Sequence, residues 1–295
     1  MVQNIPSNVR QGVVRVLNLA GTDDLRDFDF CGGGCINHGG KLQTTTGTFF
    51  LKWNSAKKFP SMFRAEANGL KLLRKTEAIE IPALVGVGED DDNQFILLDF
   101  IEQGPQAKSY WKHLGSRLAT LHKTTNAQFG LDHENYIGSL RQFNTSSQSW
   151  IDFFVHQRLN VLLKRAVDSG LAGSEMVKSF EALYPNLTSL LSEEKPALLH
   201  GDLWSGNIIT TAKGEPCLID PAVYYGCREV DLAMTKLFGS FPTEFYEAYD
   251  QTYPLMPDYE DRFDLYNLYP LLVHLNLFGA QYKSPITGIL SRFVK

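Results

Sequence analysis

Between His200 and Asp220 the chain spaces a carboxylate, a carboxamide and a second carboxylate at fixed intervals. The segment reads His200-Gly201-Asp202-Leu203-Trp204-Ser205-Gly206-Asn207 and closes on Leu218-Ile219-Asp220. Asn207 follows Asp202 by five residues, and Asp220 follows Asn207 by thirteen. Short apolar runs at 197–199, 208–210 and 217–219 lie between the polar groups and read as strands. A fold that accepts this segment must carry three oxygen-bearing side chains at strand ends and in loops. Phosphoryl transfer from a nucleotide needs such a set. A base orients the attacking hydroxyl, and oxygen ligands hold magnesium on the phosphates.

The rest of the chain predicts an α+β architecture. Residues 5–20 place Ile5, Val9, Val13, Val16 and Leu17 at helical spacing. Residues 25–54 read as a strand, a glycine-rich turn from Cys31 to Gly40, and a second strand over 47–53. A helix over 63–74 and strands over 83–87 and 95–100 follow. Beyond about residue 103 helical patterns dominate, at 108–124, 149–168, 174–191, 229–238, 243–250 and 258–278. The expectation is two lobes: a small β-rich nucleotide-binding lobe, 1–103, and a larger helical lobe, 104–295. A nucleotide is expected in the cleft between them.

Composition removes several function classes. At 43% hydrophobic and 21% charged residues the chain suits a soluble globular protein. Net charge is −5 with no long basic run, so neither nucleic acid nor an anionic membrane is an expected partner. No apolar stretch is long enough for a transmembrane helix, and residues 1–10 lack a signal-peptide pattern. Four cysteines are too few for a disulfide scaffold, so a reducing cytoplasm is the expected location.

Each candidate residue has a functional and a plain reading. Asp202 is the expected base, against an ordinary turn aspartate. Asn207 and Asp220 are the expected magnesium ligands. The plain alternative for Asn207 is a turn residue, and for Asp220 a strand end held extended by Pro221. The spacing of Asp202 and Asn207 matches the catalytic loop of protein kinases. There the histidine at the position of His200 holds the loop backbone, so His200 reads as a buried structural residue. Lys52, in an aromatic and aliphatic strand, needs a partner if buried, and Glu66 in the next helix is the expected one. Such a pair would aim the lysine at nucleotide phosphates.

Cys31-Gly32-Gly33-Gly34-Cys35-Ile36-Asn37 could let backbone N–H groups approach phosphate oxygens, or form a flexible hairpin turn. It matches neither standard phosphate-loop pattern. Cys31, Cys35 and His38 have spacings that suit zinc, but a fourth ligand is missing. Cys35 reads either as a reactive, redox-sensitive thiol or as an inert small residue. Trp204 reads either as a stacking surface for a sugar or cyclic amine, or as core. Arg228 and Glu229 either line the acceptor site or are solvated helix-start charges. Asp231 either caps the helix that follows or braces the catalytic loop.

These residues resemble the fructosamine/ketosamine-3-kinase family, within the aminoglycoside- and choline-kinase-like phosphotransferases. The resemblance is carried by Ala197 to Asn207, by Leu218-Ile219-Asp220-Pro221-Ala222, by Gly33-Gly34-Cys35-Ile36-Asn37 and by Tyr225 to Ala233. It implies a protein-kinase-like fold and ATP-dependent phosphorylation of the 3-hydroxyl of fructosamines or ribulosamines, on free amines or on protein lysines. The phosphorylated adduct then releases the amine. The resemblance also implies Asp202 as base, Asn207 and Asp220 on magnesium, Lys52 on phosphate and Trp204 on the sugar–amine. The nucleotide base would meet the hinge backbone at Asp99, Phe100, Ile101 and Glu102. Family members with a cysteine at Cys35 fit redox control, so the expected state is a monomer or a redox-linked homodimer. The rival readings are a kinase of another hydroxyl compound and a catalytically silent nucleotide-binding module.

Overall fold

The computed structural model describes residues 1–31 and 37–294. It forms two compact units. The first comprises residues 1–110 with 209–220, and the second residues 111–208 with 221–295.

The first unit is built on a five-stranded antiparallel sheet. Its strands are β1 (Leu25–Phe30), β2 (His38–Thr44), β3 (Thr48–Ser55), β4 (Leu84–Glu89) and β5 (Asn93–Asp99), in the order β1-β2-β3-β5-β4. Helix α1 (Ser7–Leu17) buries Val9 and Val13 with Ile5 against Leu42, Leu51, Trp53 and Phe95. Burying each such aliphatic side chain contributes roughly 1.5–3 kcal/mol. Helix α2 (Met62–Arg74) packs against β4 and β5 through residues that include Phe63, Ala67, Leu70 and Leu73.

Strand β2 is absent from the sequence expectation, which read its first residues as the end of a glycine turn. Its seven residues include two glycines and bury only Gly40 and Leu42. The alternation that marks a strand is therefore faint. Gly40 is needed because β1 passes close: a Cβ there would lie 2.2 Å from the Asp29 carbonyl oxygen.

Two further short strands, Ile208–Thr210 and Pro216–Leu218, pair with each other, and the segment from Ile209 belongs to the first unit. The Gly104 N–H donates to Thr210 O at 3.3 Å, and the Leu218 N–H donates to Glu80 O at 3.0 Å. The chain thus returns to the first unit after its catalytic-loop motif and delivers Asp220 there.

The second unit is helical. The expected run 149–168 is one continuous stretch, but its register changes midway: α-helix Trp150–Phe153, π-helix Phe154–Leu159, α-helix Asn160–Asp168. The 174–191 run likewise breaks after Leu183. Helices Glu229–Leu237, Thr243–Thr252 and Tyr259–Phe278 fall close to expectation. A further helix, Lys283–Phe293, was not anticipated and buries Ile286, Ile289 and Leu290. Among the described residues no helix is long and apolar enough to cross a membrane.

Candidate active site

In the first unit the structure brings together Lys52, Glu66 and Asp220. Lys52 lies on β3, opposite Ile96 of β5, and is 5% exposed. Its Nζ donates to Glu66 Oε1 at 2.6 Å and to Asp220 Oδ1 at 3.0 Å. A lysine drawn this far from water must be paired. Burial lowers its proton affinity, but Asp220 and Glu66 more than offset this, so the ammonium stays charged. Burial pushes the Glu66 carboxyl above its usual range, with Lys52 opposing and Asp220 adding to the effect.

Asp220 is not the extended residue that the following proline suggests. Its φ is +54°, in the left-handed region that costs a non-glycine residue roughly 1–3 kcal/mol. The bond to Lys52 and the turn into Pro221 hold it there. Its carboxylate is 47% exposed, and Oδ2 has no hydrogen-bond partner among the described residues.

In the second unit the catalytic-loop motif is held by one buried carboxylate. Asp231, 1% exposed, accepts from the His200 N–H at 2.7 Å and from the Gly201 N–H at 2.9 Å. Its Oδ2 also bonds His122 Nε2 at 3.1 Å, and His122 Nδ1 bonds the Tyr249 hydroxyl at 2.8 Å. Burial would raise the Asp231 carboxyl, but His122, His200 and the loop N–H groups hold it below the usual carboxylate range. Of the two sequence readings, capping and bracing, the geometry is that of bracing.

His200 is fully buried, and its Nδ1 accepts from the Asp202 N–H at 3.3 Å. Asn207 Nδ2 donates to the Asp202 carbonyl at 2.8 Å and to Asp202 Oδ2 at 2.9 Å. The carboxamide thereby fixes the carboxylate, and Asn207 Oδ1 has no partner among the described residues. Asp220 Oδ2 in the first unit and Asn207 Oδ1 in the second are each hard oxygens of the chemical type that suits magnesium.

Gly201 makes the sharp entry to the loop. Its φ is +82°, and a Cβ would lie 2.1 Å from the Ala222 carbonyl oxygen. Gly201→Ala is therefore expected to destabilise the second unit by about 1–3 kcal/mol or more. Urea denaturation followed by tryptophan fluorescence measures this; an unchanged midpoint would show that the loop relaxes freely.

Trp204 is 37% exposed and meets Phe238 edge-on at 6.4 Å. Arg228 and Glu229 require correction. They are neither solvated nor available to line an acceptor site. Arg228 pairs with Glu194 at 2.7 Å and donates to the carbonyls of Tyr253 and Pro254, while Glu229 pairs with Arg262 at 2.6 Å. Both are buried, and a desolvated charge must be neutralised locally. Glu194 and Arg262 were missed because nothing in a loop glutamate or a helical arginine marks a buried partner.

Asn37 accepts from Asn54 Nδ2 at 2.7 Å, which ties the end of the glycine-rich segment to the strand bearing Lys52. Gly33, Gly34 and Cys35 lie outside the described residues. In the segment expected to meet the nucleotide base, the Asp99 N–H donates to Ala83 O at 2.9 Å. Phe100 and Ile101 are partly buried, and Lys41 pairs with Glu102 at 3.4 Å and sits over the Phe100 ring. His122, inside an amphipathic helix, is the buried partner of Asp231.

Comparison with known proteins gives the family and the fold. The sequence pattern of the fructosamine kinase family matches residues 13–295. A probable ketoamine kinase from Synechocystis is 40% identical over 266 residues, covering 89% of this chain and 88% of its own. A chloroplastic protein-ribulosamine 3-kinase from Arabidopsis thaliana is 39% identical, covering 90% and 81%. The crystal structure of a candidate fructosamine-3-kinase from Haemophilus somnus superposes with a TM-score of 0.86 at 28% identity, covering 97% of each chain. An aminoglycoside phosphotransferase at 15% identity shares the fold alone, with a TM-score of 0.62 over 98% of this chain and 99% of its own. The two units are those of a protein-kinase-like α+β fold, and the family match spans nearly the whole chain. The chain belongs to the fructosamine kinase family and is an ATP-dependent ketosamine kinase.

Proposed function

We propose that this kinase phosphorylates the 3-hydroxyl of ribulosamines and fructosamines, on free amines or on protein lysines, and so initiates deglycation. The observation that carries the reading is the Asp202–Asn207 pair, with the half-exposed Trp204 between its members in sequence. The ribulosamine 3-kinase relative supports the choice of acceptor.

In this reading Asp202 accepts the proton of the sugar hydroxyl as its oxygen attacks the γ-phosphorus of ATP and ADP leaves. Asn207 holds the Asp202 carboxylate at the angle that transfer requires. Lys52, kept cationic by Asp220 and Glu66, meets the nucleotide phosphates, and the backbone from Asp99 to Glu102 receives the base. Asn207 Oδ1 and Asp220 would hold magnesium, which when bound offsets phosphate charge. Trp204 offers its ring to the apolar face of the sugar–amine. Cys31, Cys217 and Cys227 are free thiols, which supports a cytoplasmic setting.

An ADP-release assay across ribulosamines, fructosamines, an aminoglycoside and choline tests the acceptor. Turnover of the ketosamines at least tenfold above the other two is expected. Preferential turnover of the aminoglycoside or choline would overturn the reading.

A further inference from the structure

Strand β3 alternates between the two faces of its sheet. Phe49, Leu51 and Trp53 join the core packed on α1, so Phe50 and Lys52 lie on the opposite face. Strand β2 meets that face through Gly39 and Lys41, which stand opposite Lys52 and Phe50 in the register. A Cβ at Gly39 would lie 3.3 Å from Lys52 Cγ and 3.5 Å from Phe50 Cζ, as residues of one face do. Lys41 is therefore a second lysine on the face that carries Lys52. It stands two residues beyond Gly39 along β2, a displacement of roughly 7 Å.

The Lys41 side chain crosses the sheet. Strand β3 separates β2 from β5, and neighbouring strands lie about 4.8 Å apart. Lys41 is rooted on β2, yet its Nζ reaches the segment that follows β5. It lies 4.4 Å from the centre of the Phe100 ring and 3.4 Å from Glu102 Oε1. The methylene stem thus spans the face at the level of Phe50, and the ammonium sits at its far end.

The segment it reaches is tied at both ends. The Asp99 N–H donates to Ala83 O, the Gly104 N–H donates to Thr210 O at 3.3 Å, and Gln103 bridges to Thr211. The sheet face, residues 99–104 and residues 209–211 all belong to the first unit.

The ion pair itself explains little, because Glu102 is exposed and such pairs add little to stability. What the contacts do is divide the side chain. Its charge is held at one end, and its apolar stem is spread over the face beside Lys52.

We propose that Lys41 is the roof of the base subsite: its methylene stem packs on the flat face of the purine of ATP, while Glu102 and the Phe100 ring hold its ammonium away from the nucleotide. The inference rests on residues 99–102 receiving the base, as proposed above. A purine face is apolar, so packing it against methylenes removes apolar surface of both from water. The phosphates are left to Lys52, which Glu66 and Asp220 keep in its own row of the sheet.

The test is isothermal titration of the full chain with ADP and with adenosine, which shares the base and lacks the phosphates. Lys41→Ala removes the stem and should weaken both ligands equally, by about tenfold. Lys41→Met keeps an apolar stem and Glu102→Gln unfastens its end, so each should weaken both ligands by only about threefold. Unchanged binding by Lys41→Ala overturns the roof. A loss confined to ADP overturns it too, since the ammonium would then be serving phosphate. Lys41→Met as damaging as Lys41→Ala shows that the charge, not the stem, meets the base. Where Lys41→Ala fails to fold, Glu102→Gln decides: an equal loss for both ligands supports the roof, and unchanged binding overturns it. Wild type that binds ADP but not adenosine, with Lys41→Ala at wild-type ADP affinity, places the failure in the base assignment for residues 99–102 and overturns the roof with it.

Discussion

Asp202→Ala is expected to lower kcat by roughly 10²–10⁴-fold while leaving ATP affinity within about twofold of wild type. The asymmetry follows from placement. Asp202 is held by the Asn207 carboxamide and by its own N–H bond to His200, both within the catalytic loop. Lys52, Glu66 and Asp220 form a separate cluster that the substitution does not touch. Asp202→Asn is the sharper probe, because it keeps the shape and removes only the proton-accepting charge. Single-turnover ADP formation and nucleotide titration of the same preparations measure the two quantities. Wild-type turnover by either variant on a ketosamine would remove Asp202 from the chemistry. Loss of nucleotide binding in step with kcat would mean that the loop, rather than the base, had been damaged.

Asp231→Ala should cost about 3–5 kcal/mol of stability. The substitution strands three groups at once: the His200 and Gly201 N–H donors and the buried ring of His122. Each unpaired buried donor costs on the order of 1–3 kcal/mol. The exposed Lys164–Asp168 pair is the contrast; Lys164→Ala should change stability by less than about 1 kcal/mol. The pH dependence has a definite sign. The folded-state Asp231 carboxyl lies below its usual value, so its contribution is complete above the unfolded value near pH 3.9 and is lost as pH falls through the folded one. Wild type should therefore lose part of its advantage over Asp231→Ala on acidification below about pH 4. Urea midpoints at neutral and acid pH measure this. A difference that grows as pH falls would contradict the bracing role.

The Lys52–Glu66 pair was readable because a lysine in an apolar strand needs a partner, and Asp202 and Asn207 stood out as polar residues at fixed spacing beside a short hydrophobic run. Most helices were readable for the same reason, since their buried faces repeat at helical spacing. Strand β2 was not, because glycines replace the side chains whose alternation marks a strand.

By itself the sequence determined the kinase-like motif and the order in which its candidate residues fall along the chain, since those depend on side-chain type and short spacing. Tertiary structure decided where their charges are compensated. It returned residues 209–220 to the first unit, so that Asp220 reaches Lys52 across a sequence separation of 168 residues. It set Asp231 beneath His200 and Gly201, and it closed Arg228 and Glu229 away from water. Burial and long-range pairing are properties of the packed chain. A charged residue reads the same in a sequence whether it faces solvent or a buried partner, and only the fold assigns it one or the other.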